Sequence, residues 1–101
     1  MPKIYEYLGF VFFLNSNDHK PLHFHVKYGE YESAVEPLIS EGKLVEVKFR
    51  KIKGKPQIQD IDRKSVEKFV SIYYLKIVQK WTQFYLLNLE PKNEKITKKL
   101  K

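Results

Sequence analysis

The stretch from Leu22 to Glu36 constrains this chain most, because its pattern specifies both a β-hairpin and the register of that hairpin. Leu22, Phe24, Val26 and Tyr28 alternate with His23, His25 and Lys27. Successive strand side chains point to opposite sides, so a period of two describes a strand with one buried face. Gly29-Glu30 has the Gly-X form of a two-residue type II′ loop. With that loop, Tyr28 faces Tyr31, Val26 faces Ser33 and Phe24 faces Val35 on the apolar side. On the polar side Lys27 faces Glu32, His25 faces Ala34 and His23 faces Glu36. A slip of one residue would turn the apolar set to solvent, so a single register satisfies both faces.

Around the hairpin, the run Gly9–Leu14 (GFVFFL) is apolar throughout and reads as a central strand covered on both faces. Pro37 and Ser40-Glu41-Gly42 mark a loop. Leu44–Arg50 alternates again, Lys53–Pro56 reads as a turn, and Gln57–Ile61 as a short return strand. Together these predict a basic β-ribbon at a sheet edge, where lysines discourage pairing with other chains. From Asp62 or Ser65 the period becomes helical, with Val66, Phe69, Val70, Tyr73, Ile77, Trp81, Phe84 and Tyr85 on one broad stripe that Pro91 ends. Strands followed by helix, segregated and not alternating, predict an α+β domain. Its expected form is a mainly antiparallel sheet of about five strands with a C-terminal amphipathic helix packed on it. Residues 1–90 would form one domain, and the lysine-rich tail 91–101 would fray.

The 101 residues suffice for one modest core, and the absence of cysteine excludes disulfides and thiolate metal sites. No apolar run approaches the roughly 20 residues that span a bilayer, and the N-terminus lacks a secretory pattern, so a cytoplasmic protein is expected. The net charge of +7 is uneven. Residues 1–42 carry a net −3 and residues 43–64 a net +5, so the histidine hairpin and the basic ribbon read as two separate surfaces.

All three histidines, His19, His23 and His25, lie within seven residues, and the alternation keeps His23 and His25 off the core face. Several readings stay open. The histidines could be solvated side chains. They could hold a divalent metal such as zinc, since strand residues i and i+2 project the same way about 7 Å apart. His19 would then be a third ligand, with Asp18 or Glu36 a fourth or an orienting partner. They could instead serve as general acid and base, catalytic His19, His23 and His25 with Lys20 or Lys27 holding a phosphate, in a metal-free RNA-cleaving arrangement. They could also only contact a partner. Lys48, Arg50, Lys51, Lys53 and Lys55 form a second candidate, a patch able to follow a nucleic-acid backbone.

Asn17-Asp18-His19-x-Pro21-x-His23-Phe24-His25, followed by Tyr28-Gly29 and Tyr31-Glu32, resembles the short bacterial proteins grouped as domain of unknown function 4160. Met1-Pro2-Lys3-Ile4, Gly9-Phe10-Val11 and Trp81 match the same family pattern. Pro21-Leu22 stands where the family usually has Pro-Pro, and the ribbon Val45–Asp62 and the lysine tail depart from it. The resemblance implies no established activity. It does imply a place beside a second small protein, in pairs that look like toxin–antitoxin modules. By that analogy the expectation is a toxin-like half of such a pair, with a cognate small antitoxin-like protein as partner. Whether it is an enzyme stays open, and the activity expected of an enzyme here is that of a hydrolase of ribonuclease type acting on RNA through the histidines. The alternatives are a non-catalytic metal-binding or protein-interaction module using the same histidines, and a basic nucleic-acid-binding protein.

Overall fold

The expected hairpin forms in the register read from the sequence. The computed structural model describes residues 2–15 and 22–100. In it, β3 (Phe24–Tyr28) pairs antiparallel with β4 (Tyr31–Ser40), with partners Phe24↔Val35, His25↔Ala34, Val26↔Ser33, Lys27↔Glu32 and Tyr28↔Tyr31. Gly29 takes a φ of 62° and Glu30 is not among the residues of positive φ, as a type II′ loop requires.

Two further strands precede the hairpin. β1 (Lys3–Tyr7) and β2 (Phe10–Phe13) are joined by Leu8-Gly9, both at positive φ, a type I′ pattern. β2 lies between β1 and β3, the central placement its continuous apolar sequence predicts. The helix covers only one of its faces, however, and Val11, expected to be covered as well, is half-buried on the other. The sequence does not announce β1 as a strand. A register shift between Lys3 and Tyr5 breaks its alternation, and Ile4 and Tyr5 are both fully buried.

The ribbon differs from expectation. β4 runs straight through Pro37, and its partner is β5 (Lys43–Lys51), joined by Glu41-Gly42 with φ of 53° and 77°. Proline is tolerated there because the β3 pairing ends at Phe24↔Val35, so beyond it β4 has only β5 as a neighbour. No strand forms over Gln57–Ile61. Ile58 instead enters the core, its N–H donating to the buried Ser33 hydroxyl at 3.1 Å, and the helix α1 (Asp60–Tyr85) starts two residues later. Asp60 and Asp62 sit in its first turn, where the helix dipole favours carboxylates. The 26-residue helix is continuous.

The tail also contradicts the lysine-based expectation of fraying. β6 (Glu94–Ile96) pairs parallel with β1, giving a six-stranded mixed sheet in the order β5-β4-β3-β2-β1-β6. Polarity of the tail does not prevent this, because Asn93 donates to Glu6 at 2.7 Å and the Leu100 N–H donates to the Tyr7 hydroxyl at 3.1 Å.

The helix covers one face of the sheet, and among the described residues no helix packs on the other, open face. Phe69 is the centre of the core, with ring centroids 5.1 Å from Tyr5, 5.0 Å from Tyr7, 4.5 Å from Phe12 and 4.6 Å from Tyr73. Val66, Val70 and Ile77 continue the buried stripe against the sheet, while Trp81 and Tyr85 pack at its margin. Among the described residues no helix is long and apolar enough to cross a membrane.

Candidate functional site on the open sheet face

The register that buries Phe24, Val26 and Val35 under α1 sends His25, Lys27 and Glu32 to the open face. His25 pairs with Phe13 on one side and Ala34 on the other, while Val11 and Lys27 pair along the next row. His25 is not solvated there. It retains only 8% of its surface, its ring stacked on Phe13 with centroids 5.3 Å apart. Its Nδ1 lies 3.5 Å from Glu32 Oε2. His23, just before β3, is partly exposed, its ring centroid 5.9 Å from that of His25. The two imidazoles therefore stand together but in unequal settings, one packed and one accessible.

The expected ligand set is only partly brought together. Asp18 and His19 lie outside the described residues. Glu36 is engaged from the other side: Arg50 Nη2 donates to its Oε1 at 2.6 Å. The carboxylate beside His25 is instead Glu32, diagonal to it across the hairpin. Among the described residues no three His, Asp or Glu side chains converge to hold a metal ion.

The basic residues divide between two faces. Lys48 pairs with Glu36 and Arg50 with Ala34, so both face the open side with the histidines. Lys51 pairs with Ser33, whose side chain is buried on the core side, so it lies on the other face. Lys53 is exposed in the turn after β5. Lys55, beyond it, returns toward the hairpin, its Nζ 3.9 Å from Glu32 Oε1. Chain pairing here matters more than sequence distance. Because β5 folds back on β4, the acidic hairpin and the basic ribbon share one surface, where their charge balance had suggested two.

Sequence reasoning did not single out Lys3, Phe13 or Glu32 for the site. Lys3 reaches it because β1 pairs with β2 at Lys3↔Phe13. The position of Glu32 was readable from the hairpin register alone, as the diagonal neighbour of His25. Phe13 required knowledge of which strand flanks β3.

A family model described as Domain of unknown function (DUF4160) matches residues 9–82. Comparison with curated proteins finds no match, and comparison with solved structures finds none. The matched span holds β2, the histidine hairpin, β5 and most of α1, and leaves β1 and β6 outside it. On that span, the chain belongs to the DUF4160 family.

Proposed function

We propose that this protein acts on RNA through its open sheet face, as the toxin-like member of a toxin–antitoxin-type pair with a small cognate protein as partner. The observation that supports this most is the shared face itself. An RNA-directed site needs cations to hold phosphates and a group that exchanges protons near neutral pH, and here Lys27, Lys55 and Arg50 stand around His23 and His25. His23, the accessible imidazole, is the group to take the proton of a ribose 2′-hydroxyl. The 2′-oxygen would then bond to phosphorus as the bond to the 5′-oxygen breaks, that oxygen leaving with a proton from solvent. His25, packed on Phe13 and paired with Glu32, positions the strand and the neighbouring ring. The test is induced expression and in-vitro RNA cleavage with the wild type, His23→Ala and His25→Ala. Loss of growth arrest and cleavage in His23→Ala, with the melting temperature retained, is the expected result. Arrest and cleavage undiminished in both variants would rule out a role for the histidines in the chemistry.

A second reading, a non-catalytic metal-binding or partner-binding module, is favoured by the 8% exposure of His25. It predicts no cleavage from any variant. In its metal-binding form it also predicts a chelator-sensitive melting temperature that His23→Ala abolishes.

A further inference from the structure

A groove of about 540 Å³ crosses β2, β3 and the start of β4 on the open face. Its apolar floor is Val11 and Phe13, and three cations, Lys3, Lys27 and Lys55, line it. Among the described residues, Glu32 is the one carboxylate in the lining. This volume falls in the usual range of small-ligand sites, roughly 300–1,000 Å³. An apolar floor bordered by cations suits a ligand with a flat, weakly polar body and anionic groups, which describes a nucleotide.

Glu32 narrows the choice of base. Its side chain is 12% exposed, with its oxygens 3.5 Å from His25 Nδ1 and 3.9 Å from Lys55 Nζ. Both separations exceed the roughly 2.7–2.9 Å of a direct charge-assisted hydrogen bond, so the carboxylate keeps acceptor capacity. Two adjacent acceptor oxygens match two adjacent donors. Guanine presents such a pair, N1–H and the N2 amino group, on its Watson–Crick edge, while adenine places the acceptor N1 there and is repelled.

We propose that this groove is a guanine-nucleotide subsite for single-stranded RNA, with the base over Val11 and Phe13, its Watson–Crick edge on Glu32, and phosphates on Lys3 and Lys27. The assignment to RNA rests on the function proposed above; the preference for guanine rests on the groove alone.

The experiment is a titration of the isotope-labelled protein with 5′-GMP, 5′-AMP and inorganic phosphate, followed through backbone amide shifts. GMP should move the signals of Val11, Phe13, Lys27 and Glu32 and bind roughly tenfold more tightly than AMP, the discrimination that one paired base edge supplies. Inorganic phosphate should bind more weakly than either. In Glu32→Gln the two nucleotides should become nearly equal, GMP weakening as its paired carboxylate is lost and AMP strengthening as the repulsion of its N1 is relieved. In Lys3→Ala/Lys27→Ala both should weaken together. Equal GMP and AMP binding by the wild type, or shifts centred away from the groove, would overturn the proposal. Tetranucleotides with and without a guanine separate the two sources of the ligand. Tighter binding of the guanine-containing oligonucleotide than of GMP supports RNA, and weaker binding overturns that part in favour of a free nucleotide. The two proposals fail separately. Guanine preference without RNA cleavage removes only the acid–base chemistry, and histidine-dependent cleavage without guanine preference removes only the groove.

Discussion

Lys80 illustrates how one side chain can organise a region that its own neighbours do not specify. On the helical stripe it stands where an apolar residue would serve, and it is 6% exposed. Burying an ammonium is costly unless its donors are used. Here Nζ donates to the Lys92 carbonyl oxygen at 2.5 Å, lies 3.4 Å from Glu94 Oε1, and sits 4.9 Å over the Tyr5 ring. It therefore clamps the tail to the helix just before β6. Lys80→Met should preserve the packing of the stem but leave the Lys92 carbonyl without this donor, a loss of about 1–3 kcal/mol in urea unfolding. Amide exchange at Lys95 and Ile96 should accelerate relative to β3; unchanged exchange there would show that β6 is held by its ladder alone. None of these partners is nearby in sequence, so the role of Lys80 was not legible before the tail was placed.

Between elements, β1 is where the first and last strands meet. β6 adds to its free edge, and α1 covers it through Phe69 and Tyr73. Burial of the Tyr5 hydroxyl, reinforced by the negative charge of Glu94, pushes its pKa well above the ordinary tyrosine value of about 10. The folded state thus holds the proton more tightly than the unfolded chain. The corresponding stability is complete below about pH 10 and is lost as pH rises above it. Comparing urea midpoints of the wild type and Tyr5→Phe from pH 8 to 11 isolates this from general lysine titration. The wild type should lose stability relative to the variant only at the alkaline end; parallel curves would show that Tyr5 ionises as freely folded as unfolded. On the opposite face of β1 from Tyr5, the Asn93 amide donates to Glu6 and holds its carboxyl below the usual carboxylate range.

For the whole molecule, the consequential event is the return of the basic ribbon onto the acidic hairpin. Pairing of β5 with β4 brings Arg50 to Glu36 and is followed by the approach of Lys55 to Glu32. These contacts neutralise part of the ribbon's charge, so the net +5 of residues 43–64 overstates the field available for an RNA backbone. If Lys3, Lys27 and one or two further cations hold phosphates, log affinity for single-stranded RNA should fall with log salt at a slope of about −2 to −3. Lys3→Ala/Lys27→Ala should flatten that slope by roughly 1.4. A slope near zero in the wild type would sink phosphate recognition by this face.

The sequence alone determined the hairpin, its register, the central place of β2 and the amphipathic helix. Each rests on local periodicity and turn chemistry, which act between residues close in the chain. It also placed His23 and His25 together off the core face, since strand alternation is a local rule. Tertiary structure decided what alternation could not reach. A register shift hid β1, single-sided pairing allowed Pro37 inside β4, and the Ser33 hydroxyl drew Ile58 inward where a return strand was expected. It also decided that His25 would lie against Phe13 and that acidic and basic segments would share a surface. Those outcomes depend on which strands become neighbours, and sheet order is set by the packing of the whole chain.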